Sequence, residues 1–203
     1  MRIYFVRHGQ TDANIHYDQY PWNTNCPINQ TGRKQVAQTA AFLHNELDGK
    51  QVVLVASPLL RAQQTAAIIG EALSTSPITD DRLLELQVGE WQTRDIATVY
   101  AYFMSLAPDE RFTFVPPGGE SWAGCGQRVA TAIAEKTEPV IVIVSHSAPI
   151  QSVVGTLLAS TYEEWATYEI RNASVSLLER MHDEWQAAYI GRIFDPSSQV
   201  GLF

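Results

Sequence analysis

The 203-residue chain has few cysteines, a deficit of basic residues and no long apolar run. Its two cysteines, Cys26 and Cys125, are too few for a disulfide framework and predict a reducing compartment. No stretch reaches the roughly 18 apolar residues of a membrane-spanning helix, and the apolar N-terminus is too short for a signal peptide. Because the chain has only 14 Lys and Arg against 22 Asp and Glu, a surface that binds nucleic acid or anionic membranes is not expected. We therefore expect a cytoplasmic protein with neither kind of partner.

Short apolar runs alternate with segments of helical periodicity. Residues 3–6, 52–56 and 140–144 have the length and composition of buried strands, and each is followed by apolar residues at helical spacing. Ser57-Pro58 predicts the N-cap and first position of one helix, and Ala148-Pro149 places a proline at the start of another. This alternation predicts an α/β fold: a three-layer sandwich whose mainly parallel, doubly wound sheet carries helices on both faces.

Two further segments complete the expected architecture. Residues 174–178 and 185–190 flank a polar turn and predict a hairpin that closes the edge of the sheet. Residues 93–117 are irregular and rich in aromatic side chains, which predicts a helical excursion that forms a small cap. Since no repeat, low-complexity tract or linker interrupts the sequence, we expect a single domain over residues 1–203.

Charged side chains follow each of the three predicted strands. Arg7 and His8 come directly after the first strand, Arg61 follows the second, and His146 follows the third. Ligands of doubly wound sheets bind outside the carboxyl ends of the strands, so these side chains are expected to converge. Two guanidinium groups and two imidazoles favour a compact anion with several charges, such as a phosphate group.

A neutral imidazole can attack phosphorus and form a phosphohistidine, which divides one transfer into two easier steps. The leaving oxygen needs a proton, and Glu85 is the candidate acid because burial can keep a carboxyl group protonated near neutral pH. Neighbouring arginines would lower the pKa of this carboxyl. Glu90 and Glu120 are competing acids, and a surface ion pair with Arg82 or Arg94 is the alternative role for Glu85.

Six short motifs occur in order over most of the chain. They are Arg7-His8-Gly9-Gln10-Thr11 with Asn14, Pro27-Ile28-Asn29-Gln30-Thr31-Gly32, Ser57-Pro58-Leu59-Leu60-Arg61-Ala62, Leu83-Leu84-Glu85 with Gly89 and Trp91, Pro117-Gly118-Gly119-Glu120-Ser121, and Val144-Ser145-His146. Together they resemble the histidine phosphatase superfamily, also called the phosphoglycerate mutase-like family, and within it the short phosphatases. One such motif alone is weak evidence, whereas six in the right order are specific.

The resemblance implies a role for each matching residue. His8 would be the phosphorylated nucleophile and Glu85 the general acid and base. The transferring phosphoryl group would be bound by Arg7, Arg61 and His146. The resemblance also implies that Asn14 helps to hold the phosphate, although capping of the following segment is an equally good reading. Neither a metal nor another cofactor is implied.

The chain departs from the family pattern at three places. Gln10 stands where glutamate is common, Gln92-Thr93 replaces a usual Glu-Gly, and Ser147-Ala148 replaces two glycines. Gln10 and Ser147 are retained as candidate phosphate-binding residues, since a backbone N–H after His146 can still meet a phosphate oxygen. We interpret the departures as marks of altered substrate choice.

We therefore expect a metal-independent phosphomonoesterase that acts on a small phosphorylated metabolite through a phosphohistidine. A cofactor-dependent phosphoglycerate mutase is the first alternative, although the mutases of the family tend to be longer. A catalytically weak module that only binds a phosphorylated ligand is the second. A metal-dependent hydrolase is a poorer option, because the sequence has no His-x-x-x-His or Cys-x-x-Cys spacing. Residues 17–25 and 93–117 are expected to select the substrate.

Overall fold

A six-stranded sheet forms the centre of the computed structural model, which describes residues 1–16 and 24–194. The strands are β1 (Arg2–Arg7), β2 (Val53–Ala56), β3 (Ile78–Thr79), β4 (Val140–Ser145), β5 (Val175–Met181) and β6 (Glu184–Arg192). Their order across the sheet is β3-β2-β4-β1-β5-β6. Most of the segment 17–25, which the sequence singles out for substrate choice, lies outside the described residues.

The sheet is parallel over four strands and antiparallel at one edge. β1 pairs in parallel with β4, and β2 pairs in parallel with both β4 and β3. β5 and β6 form the predicted hairpin and add antiparallel to β1. The predicted mainly parallel sheet is thus confirmed. Because β1 and β4 run side by side in the same direction, with Arg7 opposite Ser145, the residues that follow them leave the sheet together.

Helices cover both faces of the sheet, as predicted. The described helices are α1 (Gln30–Glu46), α2 (Leu60–Leu73), α3 (Ile96–Ser105), α4 (Pro108–Thr113), α5 (Trp122–Ala134), α6 (Ser147–Leu157) and α7 (Tyr162–Trp165). α1 and α2 pack on the face that carries Tyr4 and Val6, whereas α5 and α6 pack on the face that carries Ile3 and Phe5. Because successive side chains of a strand point to opposite faces of the sheet, β1 contributes to both apolar layers. Its four central side chains are fully buried.

The start of α2 differs from the sequence prediction. Ser57 is not the N-cap of α2, and Pro58 is not its first residue, because the helix begins at Leu60. Instead, the Ser57 hydroxyl lies 2.8 Å from Nε2 of His146. Ser57 is therefore part of the candidate site, and the two residues after it form the connection between strand and helix.

The aromatic segment 93–117 is helical, as predicted, and contains α3 and α4. Phe112 of α4 lies against Trp165, whose ring also contacts Trp122, so α4 packs on α5 and α7. Trp91 and Phe114 stack at a centroid distance of 5.1 Å and connect the segment with the loop before it. Within the described residues, no helix is both long and apolar enough to cross a membrane.

Candidate active site

The carboxyl end of β1 delivers His8 into a closely packed junction of three elements. The backbone N–H of His8 donates to the carbonyl of Ser145 at 3.0 Å, so the parallel pairing with β4 extends to this residue. The next residue is Gly9, where a Cβ atom would lie 2.7 Å from the carbonyl oxygen of Gly32 and 2.7 Å from Cγ2 of Val36. Only glycine fits this approach between β1 and α1, and it fixes the direction in which His8 points.

Hydrogen bonds define the tautomer of the buried His8 imidazole. Arg61 Nε donates to His8 Nε2 at 3.2 Å, and His8 Nδ1 lies 2.8 Å from the carbonyl oxygen of Gly9. Because the guanidinium can only donate and the carbonyl can only accept, Nδ1 carries the proton and Nε2 carries the lone pair. Burial, with further contributions from Arg61 and Arg7, lowers the pKa of His8 well below its ordinary value. The imidazole is therefore neutral, and its Nε2 lone pair accepts the N–H of Arg61.

His146 lies beside His8, with the two ring centroids 5.2 Å apart. Its Nε2 atom is hydrogen-bonded to the Ser57 hydroxyl, whose oxygen also accepts from the backbone N–H of Leu59 at 3.4 Å. The Nδ1 atom of His146 is buried and has no partner within residues 1–16 and 24–194. If the Ser57 hydroxyl donates to Nε2, Nδ1 carries a proton, and a buried donor of this kind is costly unless a ligand accepts from it.

Arg7 and Arg61 place two buried guanidinium groups in the same site. Arg7 Nη1 donates to the carbonyl of Ile170 at 2.8 Å, and Arg61 Nη1 donates to the carbonyl of Thr24 at 2.9 Å. Burial lowers the pKa of Arg7 to about 10 and also lowers that of Arg61. Both groups remain charged near neutral pH, and the pairing of Arg61 with a neutral acceptor leaves much of its charge available to an anion.

Glu85 supplies the carboxylate of the site and has a raised pKa. Burial is the dominant cause, and it is partly offset by Arg61, by the backbone N–H of Leu86, by Arg7 and by the backbone N–H of Ala148. The Leu86 N–H donates to Oε1 at 2.9 Å. Two buried arginines and one carboxylate of raised pKa give the site a net positive charge, which matches an anionic ligand.

The alternative surface ion pair of Glu85 with Arg82 does not occur. The Arg82 guanidinium instead pairs with Asp80 and with Glu135, each at 2.8 Å. Glu90, one of the competing acids, is exposed to solvent. Among these carboxylates, Glu85 is therefore the one that shares electrostatic contacts with Arg7 and Arg61.

Gln10 and Asn14 lie next to the site and are engaged with protein groups. Gln10 is buried, and its Oε1 atom accepts from Asn29 Nδ2 at 3.2 Å. Asn14 Oδ1 accepts from the N–H and the hydroxyl of Thr11, each at 3.1 Å, so it completes the N-terminal cap of the short turn Asp12–Asn14 that it ends and does not cap the following segment. Asn172 Nδ2 also donates to Asn14 Oδ1 at 3.1 Å. The side-chain oxygens of Gln10 and Asn14 thus order the loop after β1.

Ser147 is the first residue of α6, directly after His146 at its N-cap. Its hydroxyl lies 3.3 Å from the Ile170 carbonyl, which also accepts from Arg7. The positive end of α6 and its first N–H groups face the site, since the Ala148 N–H lowers the pKa of Glu85. The Ala148 N–H is thus directed at Glu85, and binding of a phosphate oxygen by the N–H of Ser147 stays a prediction.

Asn172 is a site residue that sequence analysis missed. It is buried, and its amide donates to the carbonyl of His8 at 3.1 Å. The next residue, Ala173, has a positive φ of 55° and donates its N–H to the carbonyls of Arg7 and His8. This turn into β5 holds the far side of the His8 backbone. No sequence pattern pointed to it, because the contact depends on the antiparallel addition of β5 to β1.

Within the described residues, no three His, Cys, Asp or Glu side chains are grouped closely enough to hold a metal ion. The charge of the site comes from the two arginines and from Glu85.

Comparison with known proteins agrees with this geometry. A sequence model of the histidine phosphatase superfamily (branch 1) matches residues 3–192. A probable phosphoglycerate mutase of Proteus mirabilis is 29% identical over 200 residues, which are 92% of this chain and 88% of that relative.

Solved structures of similar size show the same architecture. A mycobacterial glucosyl-3-phosphoglycerate phosphatase in complex with VO3 superposes with a TM-score of 0.76 at 29% identity, covering 93% of this chain and 97% of the other. A protein described as mycobacterial hydrolase 1 superposes with a TM-score of 0.79 at 27% identity, covering 95% and 98%. These likenesses extend over nearly the whole of each chain.

Proposed function

Because the chain belongs to the histidine phosphatase superfamily, whose sequence model matches residues 3–192, we propose that it is a phosphomonoesterase. It hydrolyses a small phosphorylated metabolite through a phosphohistidine at His8. The observation that carries this proposal is the His8 imidazole itself, which is buried and neutral and whose unprotonated Nε2 accepts from Arg61, a side chain that can turn its N–H to a phosphate oxygen. An imidazole in this state is a nucleophile, whereas a site that only bound phosphate would be served better by a protonated one.

In the first step, the Arg61 Nε–H moves from His8 Nε2 to a phosphoryl oxygen, and His8 Nε2 forms a bond to phosphorus while the ester P–O bond breaks. Glu85, whose pKa is raised by burial, gives its proton to the departing alcohol oxygen. Arg7 and Arg61 bind the equatorial phosphoryl oxygens, whose charge is spread in the transition state. His146 Nδ1, a buried atom without a protein partner among the described residues, donates to one of them. The arginines thus provide the positive charge for which other phosphatases use a metal ion.

In the second step, water attacks the phosphorus of the phosphohistidine and the P–N bond breaks. The Glu85 carboxylate left by the first step takes the proton of the attacking water, which restores its starting form. His8 regains its lone pair, and hydrogen phosphate leaves. One carboxyl group therefore serves as acid and then as base, and both steps use the same cationic pocket.

A phosphoglycerate mutase would return the phosphoryl group to a substrate hydroxyl instead of water, and the similarity to the Proteus mirabilis relative favours this as the second candidate. The similarity to a phosphatase structure over 93% of this chain and 97% of the other favours hydrolysis.

Incubation with 3-phosphoglycerate and 2,3-bisphosphoglycerate separates the two activities. We expect release of inorganic phosphate, with no more than one 2-phosphoglycerate formed for each phosphate released from the bisphosphate, when phosphate is measured by a colorimetric assay and the isomer by a coupled assay. Formation of the isomer faster than phosphate would contradict the proposal and support the mutase. A parallel panel of phosphorylated metabolites, ranked by kcat/KM, identifies the preferred alcohol.

A further inference from the structure

A partly buried ion pair outside the catalytic pocket holds the loop that carries Glu85. We call residues 82–90 the acid loop. Arg128 of α5 donates through Nη1 to the carbonyl of Arg82 at 2.6 Å and through Nη2 to the carbonyl of Leu84 at 3.2 Å. The same guanidinium binds both carboxylate oxygens of Glu120, at 2.6 and 3.1 Å. The planar guanidinium of Arg128 thus donates to the carbonyls of two residues that lie just before Glu85 in the sequence.

Glu120 holds the far end of the acid loop. Its Oε1 atom accepts from the backbone N–H of Gln87 at 3.0 Å, and its own N–H donates to the carbonyl of Gln87 at 2.8 Å. Gln87 Nε2 in turn donates to the carbonyl of Glu85 at 2.6 Å. Glu120 is an alternative general acid on the sequence alone, but in the structure its carboxylate binds the acid loop.

The carbonyls of four consecutive residues are fixed in this way. Arg128 donates to the carbonyls of Arg82 and Leu84. The Ser145 hydroxyl donates to the carbonyl of Leu83 at 2.8 Å, and Gln87 Nε2 donates to the carbonyl of Glu85. Backbone groups of an ordinary surface loop are satisfied by water. Here side chains satisfy them, three of the four from outside the acid loop and the fourth from Gln87 within it, and these contacts surround Glu85.

An ion pair in this setting is a weak source of stability. The Arg128 and Glu120 side chains are only 22% and 20% exposed, so their desolvation offsets much of their attraction. What the pair adds is geometry, because its donors and acceptors are directed at the backbone on both sides of Glu85. A general acid must lie within hydrogen-bond reach of the leaving oxygen, and small displacements of such groups are costly.

We propose that Arg128, oriented by Glu120, is a positioning residue that places the Glu85 carboxyl for proton transfer to the leaving group. This inference rests on the proposed function, because it assumes that Glu85 is the general acid. Arg128 itself touches neither the substrate nor the reacting atoms.

The test compares two aryl phosphates that differ in leaving-group basicity. Phenyl phosphate needs a proton on the departing oxygen, whereas 2,4-dinitrophenyl phosphate releases a stable anion without one. The measured quantity is kcat/KM, which reports only the steps up to transfer of phosphoryl to the enzyme. Arg128→Lys keeps the positive charge but cannot reach the same set of acceptors, and Glu120→Gln keeps the size but removes the charge. Arg2→Lys is the matched control, because its guanidinium forms a partly exposed ion pair with Glu179 at the opposite end of β1 from His8.

We expect Arg128→Lys and Glu120→Gln to lower kcat/KM for phenyl phosphate by about tenfold or more, a part of the effect of general acid catalysis. The value for 2,4-dinitrophenyl phosphate should change by less than about threefold, and Arg2→Lys should change neither. Equal losses on both substrates, no loss on either, or failure of both variants to fold by circular dichroism would overturn the inference. If Glu85→Gln itself showed no dependence on the leaving group, the proposed function would fail. If the loss of kcat/KM depended on the leaving group in Glu85→Gln but not in Arg128→Lys and Glu120→Gln, the positioning role would be rejected and the proposed function would stand.

Discussion

Substitution of His8 with alanine is expected to reduce phosphate release by at least about 10³-fold, because removal of a covalent nucleophile eliminates the route through the phosphoenzyme. The remaining arginines still bind the substrate, so KM should change much less than kcat. The measurement is steady-state phosphate release from the preferred metabolite, together with circular dichroism to verify that the variant is folded.

The matched control for this substitution is His16→Ala. His16 is an exposed imidazole eight positions further along the chain. Its loss should leave kcat and KM within about twofold, as is usual for surface substitutions away from special features. A His8→Ala enzyme with a rate near that of the wild type would mean that another group attacks phosphorus.

Substitution of Glu85 with glutamine is expected to lower kcat/KM for phenyl phosphate by about 10²–10⁴-fold, the usual contribution of a positioned general acid. Glutamine has the same shape but no proton to give to the leaving oxygen. For 2,4-dinitrophenyl phosphate the loss should be small, because its leaving group departs as an anion. Equal losses on the two substrates would show that Glu85 acts on binding or on folding instead of on proton transfer.

The pH dependence of kcat/KM gives a second readout of Glu85. Burial raises the pKa of Glu85, and the protonated form is the active acid, so kcat/KM for phenyl phosphate should fall as pH rises through this raised value. Burial lowers the pKa of His8, and the neutral form is the nucleophile, so the loss on the acid side should lie well below the ordinary histidine range. In Glu85→Gln, the fall on the alkaline side should disappear.

The parallel core and the residues that follow its strands were predictable from the sequence. The strands β1, β2 and β4 are short apolar runs between helical segments, and the rule that ligands bind at the carboxyl ends of such strands brings Arg7, His8 and His146 together. The hairpin of β5 and β6 was predictable from the two stretches, 174–178 and 185–190, that flank a polar turn. These features depend on local pattern and on general topology.

The parts that could not be predicted depend on contacts between distant segments. Ser57 has the sequence context of a helix N-cap, yet its hydroxyl faces His146, 89 residues further along the chain. Asn172 reaches the His8 carbonyl because β5 adds to the sheet beside β1. Arg128 carries no motif of its own, and only the return of α5 against the acid loop shows what it binds.

The central claim is that phosphoryl passes through His8, and rapid-quench trapping of the enzyme with a ³²P-labelled substrate tests it most directly. An alkaline quench followed by peptide mapping should find label on His8 within the first turnover, before free phosphate reaches its steady rate. That label should be lost on brief acid treatment, as expected of a P–N bond, and should be absent from His8→Ala. Release of phosphate without any labelled enzyme, or label on a different residue, would contradict the account.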